Sequence, residues 1–187
     1  EYKMEKISKE GLWSIFVPNI TAGEKYKYVI ETTSGKFNYK ADPYAFKSEV
    51  RPNTASIVAD NTKYKWNDRS WMMKRKRFNM YESPINIYEV HLGSWKRKNN
   101  EFMTYREIAD ELPKYVSEMG YTHVEILPII EHPLDASWGY QAVGYYSVTS
   151  RHGDINDLKY LIDELHKAGF GTEVVKTVGK EKVLSED

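Results

Sequence analysis

Residues 104–128 read TYREIADELPKYVSEMGYTHVEILP, a capped helix running into a buried strand. Thr104 and Glu107 have the spacing of a capping box, in which the threonine oxygen accepts from a first-turn amide and the glutamate reaches back. Ile108, Leu112, Tyr115 and Met119 follow at intervals of four, three and four, which is one face of a helix. Gly120 stands where a helix C-terminus favours glycine. Val124 to Leu127 then forms a short apolar run of strand character. The pattern repeats on both sides. Residues 85–90 (Ile85, Asn86, Ile87, Tyr88, Glu89, Val90) read as a strand before this helix. Asp154 and Asp157 open a second helix whose Leu158, Leu161, Ile162 and Leu165 share a face, and Gly169 ends it. Strand–helix–strand–helix implies parallel strands joined by right-handed crossovers. No glycine-rich phosphate loop follows either strand, which disfavours a nucleotide-binding fold and leaves a (β/α)8 barrel as the natural architecture.

The chain before residue 84 has a different character. Residues 12–17 are β-rich, residues 25–30 alternate and then run apolar, Gly35 marks a turn, and residues 37–40 alternate again, so 25–40 reads as a hairpin. Ala55 to Val58 is a further short strand. Four strands are fewer than the roughly seven, over about 100 residues, of a β-sandwich. The expected organisation is an incomplete all-β module at 1–60, a connector at 61–83, the first two β/α units of a barrel at 84–171, and a divergent tail at 172–187. Lys74, Arg75, Lys76 and Arg77 in the connector read as a solvated linker. Two units of eight cannot close a barrel, so Ile108, Leu112, Leu158 and Leu161 are expected to lack full cover.

The bulk numbers exclude several classes. The 187 residues hold 27 basic and 27 acidic side chains, so no net field draws nucleic acid or anionic lipid. No apolar run approaches membrane-spanning length. With no cysteine there is no disulfide or thiolate metal site, and the five histidines have no metal-ligand spacing; no metal and no cofactor is expected. The chain starts at Glu1 rather than methionine, as a portion of a longer protein would. Aromatic residues make up 14% of the chain, including 15 tyrosines; filling of a β-rich, amphipathic core and stacking on carbohydrate both account for such a content.

Four of these aromatics, Trp138, Tyr140, Tyr145 and Tyr146, fall in residues 131–146, EHPLDASWGYQAVGYY, after the second strand of the barrel-type half. Rigid aromatics beside hydrogen-bonding groups on a loop suit a sugar, whose C–H face stacks and whose hydroxyls bond. With YEVHLGSW at 88–95, this segment resembles the branching enzymes (1,4-α-glucan) of the α-amylase superfamily, almost without gaps from Gly11 to Gly171. The run at 91–97, HLGSWKR, is similar to the branching subgroup rather than to debranching or trehalose-releasing relatives.

The resemblance implies a carbohydrate-binding-type β-sandwich ahead of the barrel, a cytoplasmic location, and an α-glucan such as glycogen or amylose as partner. It implies retaining chemistry with two carboxylates roughly 5 Å apart. In the family these follow later barrel strands, so no catalytic residue is assigned here. Glu125, Glu131, Asp135 and Asp154 are the acids at hand, and each reads better as structural, Asp154 as an N-cap. His91 and His132 read as loop-orienting residues at the strand ends. By resemblance Tyr140 is the tyrosine that stacks under the glucose at the cleavage point, and Trp138, Gln141 and His132 are its neighbours in substrate contact; packing of the loop is the alternative. The family's third strand carries an Asp and a His. Here residues 172–179 read TEVVKTVG, which lacks that motif, though Val174 to Val178 can hold the strand position. Two other readings stay open: a non-catalytic glucan-binding module, and another superfamily enzyme such as a debranching one.

Overall fold

The computed structural model describes residues 1–178 and 181–184. Six short strands come first: β1 (Glu5–Lys6), β2 (Trp13–Ser14), β3 (Lys25–Tyr26), β4 (Tyr28–Glu31), β5 (Phe37–Lys40) and β6 (Ser56–Ile57). They pair antiparallel as β1–β2, β3–β6 and β4–β5. The expected 25–40 hairpin is confined to 28–40. The chain changes partner at Lys27, because Tyr26 is held elsewhere: its hydroxyl donates to Asp42 Oδ2 at 2.6 Å. Of the expected run 12–17, only Trp13 and Ser14 are in a strand.

The connector is more than a linker. It contains α1 (Arg69–Arg75) and docks on a later helix, α4 (Ile155–Lys167). Trp71 stacks on His166 at 5.3 Å. The buried Asp163 accepts from the Tyr64 hydroxyl at 2.8 Å and the Asn67 amide at 3.0 Å. Sequence periodicity could not show this, since the docking contacts are isolated residues, one ring stack and two polar groups, with no repeat between them.

From residue 87 the alternation is as expected. The elements are β7 (Ile87–Val90), α2 (Leu92–Trp95), a small ribbon of β8 (Arg97–Lys98) and β9 (Glu101–Phe102), α3 (Tyr105–Glu118), β10 (His123–Ile126), a pair of arms β11 (Ile130–Glu131) and β12 (Gly144–Val148), then α4, β13 (Gly171–Val178) and β14 (Glu181–Leu184). One sheet has the order β14-β13-β10-β7. β7, β10 and β13 are parallel neighbours and β14 returns antiparallel to β13. The tail segment Val174–Val178 therefore lies in the third-strand position.

Both capping boxes form. Thr104 Oγ1 accepts from the Glu107 amide at 3.2 Å and Glu107 Oε2 from the Thr104 amide at 2.9 Å. Asp154 Oδ1 accepts from Asn156 and Asp157, while Asp157 Oδ2 accepts from the Asp154 amide at 3.2 Å. Helices α3 and α4 pack on each other and on one face of the sheet, enclosing Val90, Val124, Ile126, Ile108, Leu112, Val116, Leu158, Leu161 and Leu165. Ile108, Leu112, Leu158 and Leu161 are thus buried, contrary to expectation, because two helices suffice to cover one face. Met119 is exposed instead of core-facing, since it caps α3 beyond its last turn, and Val116 takes the inner place.

The opposite sheet face carries Ile87, Glu89, His123, Glu125 and Glu173, none of them buried. The parallel register sets Glu89, Glu125 and Glu173 side by side across β7, β10 and β13.

Candidate substrate-facing pocket

Loops that follow the C-terminal ends of parallel strands converge on one side of the sheet, where α/β barrels build their sites. His91 comes directly after β7, and Pro128 and Ile129 closely after β10. Together with the excursion between β11 and β12 they enclose a pocket of about 230 Å³. Its walls include His91, Ser94, His132, Asp135, Trp138, Thr149, Arg151 and His152.

Trp138 is placed by unusual backbone. A 3-10 turn spans Asp135–Ser137, and Trp138 follows it with φ 54°, ψ 27°, a left-handed conformation uncommon outside glycine. Gly139 continues at φ +86°, where a side chain would collide with the Pro128 carbonyl. The indole is braced by His91, whose ring stacks on it at 4.8 Å with an 11° interplanar angle. Half of Trp138 nevertheless remains exposed.

Arg151 ties the loop together. Its side chain is 5% exposed; Nε donates to Asp135 Oδ1 at 2.7 Å, and Nη1 donates to Glu131 Oε1 at 3.2 Å and Thr149 Oγ1 at 3.0 Å. Glu131, itself buried, also accepts from the Ser150 amide at 2.7 Å and the His132 amide at 3.2 Å. Asp135 is shared with Arg51 of the β-rich region, whose Nη2 donates at 2.7 Å while Nη1 donates to the Pro133 carbonyl at 3.0 Å. Burial pushes the Asp135 carboxyl up, but the hydrogen bonds from Arg51 and Arg151 outweigh it and hold the pKa below the ordinary carboxylate value. Glu131 and Asp135 are therefore committed to holding arginines, as structural acids would be.

The three pocket histidines are kept neutral. Burial depresses each pKa, that of His152 to about 4. His132 Nδ1 faces the Ile130 carbonyl at 2.8 Å and His152 Nδ1 faces the Met103 carbonyl at 2.8 Å. A carbonyl demands a donor, so in both rings Nδ1 carries the proton and Nε2 is the acceptor. Among the described residues no group of three His, Asp or Glu side chains is arranged to hold a metal ion.

Of the four residues singled out from sequence, the structure brings Trp138 and His132 to this pocket. Tyr140 and Gln141 lie outside it, both exposed, on the stretch leading into β12. Arg151 and His152 were missed. A lone Arg-His pair after a strand gives no local signal, and their place becomes visible only once β12 folds back beside β11.

Known proteins place these features in context. Residues 1–45 match the carbohydrate-binding module 48 family (isoamylase N-terminal domain), and residues 93–174 match the α-amylase catalytic domain family. The chain is 61% identical over 172 residues to the 1,4-alpha-glucan branching enzyme GlgB 1 of Clostridium perfringens strain 13, covering 91% of this chain and 26% of that protein. It is 56% identical over 169 residues to the 1,4-alpha-glucan branching enzyme GlgB of Francisella tularensis subsp. holarctica, covering 90% of this chain and 26% of the relative. A pullulanase from Anoxybacillus sp. LM18-11, solved with maltotriose, superposes with a TM-score of 0.67 at 20% identity, covering 92% of this chain and 28% of that one. The fold is thus a β-rich region of the module 48 type followed by parallel β/α units of an α-amylase catalytic domain. The chain spans about a quarter of the length of the curated relatives it matches.

Proposed function

We propose that this chain, a homologue of the 1,4-α-glucan branching enzymes over 91% of its length, is the glucan-facing portion of such an enzyme. The whole protein would cleave an α-1,4-glucan and transfer the released segment to a 6-hydroxyl, in the cytoplasm, as glycogen synthesis requires. No helix among the described residues is long and apolar enough to cross a membrane. The observation that carries the reading is the 61% identity over 172 residues. The geometry is consistent with it: Trp138 stands half-exposed and braced at the C-terminal ends of β7 and β10, and Tyr140 and Gln141 lie close by in sequence on the same loop.

In this reading the division 1–60, 61–83, 84–171 and 172–187 separates glucan-binding module, connector, barrel start and tail. Tyr140 is a stacking platform, Trp138 a second, and Gln141 and His132 supply polar contact and loop support. No residue of the chain is assigned as nucleophile or general acid. Assayed by itself, the 187-residue chain should neither branch nor hydrolyse amylose, because a retaining mechanism needs its carboxylate pair.

The test is a chimera in which residues 11–171 replace the matching stretch of the Clostridium perfringens enzyme. It should branch amylose, read as loss of iodine staining without a matching rise in reducing ends. Tyr140→Ala in that chimera should lower kcat/KM about tenfold, the loss of a stacking platform worth roughly 1–1.5 kcal/mol. A folded chimera that only hydrolyses amylose would overturn the branching assignment, and unchanged kinetics in Tyr140→Ala would make Tyr140 a packing residue.

A further inference from the structure

We infer that residues 69–81 form a docking surface for an acidic segment of a partner protein, whose carboxylates meet the five cations of this stretch and whose apolar side chains cover its methionines and aromatic rings. The surface is separate from the glucan-facing loop and does not depend on that reading. Helix α1 and the turns after it lie at the N-terminal ends of the parallel strands. The Phe78 ring packs on His123, the first residue of β10, at 6.1 Å, and Lys74 Nζ lies beside Gly169, two residues before β13. The pocket lies at the other end, after β7 and β10. A partner seated on 69–81 leaves that side free.

Three observations carry it. The first is uncompensated charge. Arg69, Lys74, Arg75, Lys76 and Arg77 fall in a stretch that contains no acid, and none of them forms an ion pair among the described residues. In a chain with no net charge they make a local positive field, which draws anionic groups. The second is apolar surface in the same stretch. Every residue from Met72 to Glu82 is exposed, and these include Met72, Met73, Phe78, Met80 and Tyr81, the last 93% exposed. Charge alone would suit a solvated linker. Contiguous apolar surface rimmed by polar groups marks contact with another molecule, and methionine adapts its shape to what it meets.

The third observation is how the two kinds of side chain are mixed and held. At about 3.6 residues per turn, Met73 falls between Arg69 and Lys74, Trp71 between Lys74 and Arg75, and Met72 between Arg75 and Arg69. Cations and apolar groups therefore alternate around α1 and do not occupy separate faces. An anionic bilayer requires an apolar face set against a charged one. A nucleic-acid backbone answers the cations but gives the methionines no partner. A protein segment that carries carboxylates among apolar side chains satisfies both. The helix is fastened from beneath: Trp71 stacks on His166, His166 Nδ1 lies 2.9 Å from Asp68 Oδ2, and the Asn67 amide donates to Asp163. The surface is thus in place before a partner arrives, which lowers the cost of ordering it.

The test follows the fluorescence anisotropy of a labelled synthetic peptide of repeated Glu-Leu-Asp-Phe units as the 187-residue chain is added. The peptide should bind saturably, and more tightly at low salt. Lys76→Glu combined with Arg77→Glu changes two exposed side chains beyond the last turn of α1, so the urea midpoint should stay in place while binding weakens at least about tenfold. Met73→Ser combined with Met80→Ser keeps every charge and should weaken binding about fivefold. Lys36→Glu combined with Lys40→Glu makes the same change in net charge on the β-rich half and should leave affinity unaltered. Polyglutamate of equal length should bind more weakly than the mixed peptide. The inference is overturned by absence of binding, by equal losses in the two charge-reversed pairs, or by full affinity in the methionine pair. Tighter binding to phosphatidylglycerol vesicles or to polythymidylate would also overturn it, by assigning the surface to a membrane or to nucleic acid. A dimer in sedimentation that Lys76→Glu with Arg77→Glu abolishes would overturn it in favour of a second copy of the chain.

Discussion

The two halves of this chain differ in where they keep their apolar side chains. Between residues 90 and 170 the buried cluster is continuous, with Ile108, Leu112, Val116, Val124, Ile126, Leu161 and Leu165 all fully covered. In the first 57 residues the large apolar groups face outward: Phe16 is 88% exposed, Phe37 59% and Trp13 57%. Both halves contain strands. Only the second has helices to lay across a sheet, and one covered face is enough to build a core. The first half consists of two-stranded pairs, which are marginal alone. It is held at the seam by polar contacts (Arg51 to Asp135, Lys47 Nζ to Asp154 Oδ2 at 3.1 Å, and Ser48 to Ser147 at 3.1 Å) and by Tyr146, on which Tyr44 stacks at 5.5 Å and against which Phe46 packs edge-on at 6.5 Å. Stability therefore lies with the barrel-type half, and the β-rich half depends on it.

The sharpest way to break this contrast is a matched pair of truncations. Leu161→Ala should cost about 2–5 kcal/mol in urea unfolding, as a fully buried leucine in a close-packed cluster does. Phe37→Ala removes a larger side chain and should change stability by less than about 0.5 kcal/mol. Equal costs would show that the β-rich half has a core of its own.

Acid should act on the same half. His152 has a pKa near 4 in the folded chain, against about 6.5 unfolded. Because the folded value is depressed, the unfolded chain binds more protons between pH 6.5 and 4, and stability falls as pH is lowered through that window. The loss is up to about 3 kcal/mol. The depressed values of His91 and His132 push in the same direction over this window, and that of Asp135 does so only at still lower pH, below the ordinary carboxylate pKa. His152→Phe should flatten the urea-midpoint profile over this range; an unaltered slope would remove His152 as its source.

The seam should give the smallest effect. Arg51 and Asp135 are 38% and 49% exposed, and such pairs contribute well under about 1 kcal/mol. Arg51→Ala should leave the unfolding midpoint nearly unchanged but speed proteolysis within 42–57. Unchanged cleavage there would mean that other contacts hold the seam.

Much of the second half was legible because its signals are local. The Thr104 and Asp154 boxes, Gly120 and Gly169, and the apolar faces of α3 and α4 need only a few consecutive residues. Pro113, inside α3, costs a helix roughly 3 kcal/mol in isolation, and the buried face prevails over it. What escaped depends on distant partners. The switch of partner between β3 and β4, the docking of Tyr64 and Asn67 on Asp163, and the buried Arg151 bring together residues 15 to 100 positions apart. For the site, the aromatic loop marked Trp138 and His132, but the bracing by His91 and the polar wall of Arg151 and His152 follow from the return of β12 along β11.

The most direct test is native-state hydrogen exchange on the 187-residue chain, with and without maltohexaose. Amides of Val124–Ile126, Ile108–Val116 and Leu158–Leu165 should exchange slowest and together, those of residues 1–40 should exchange fast, and the sugar should add protection within 129–146. Fast exchange across Val124–Ile126, or protection by the sugar confined to residues 1–57, would contradict the account.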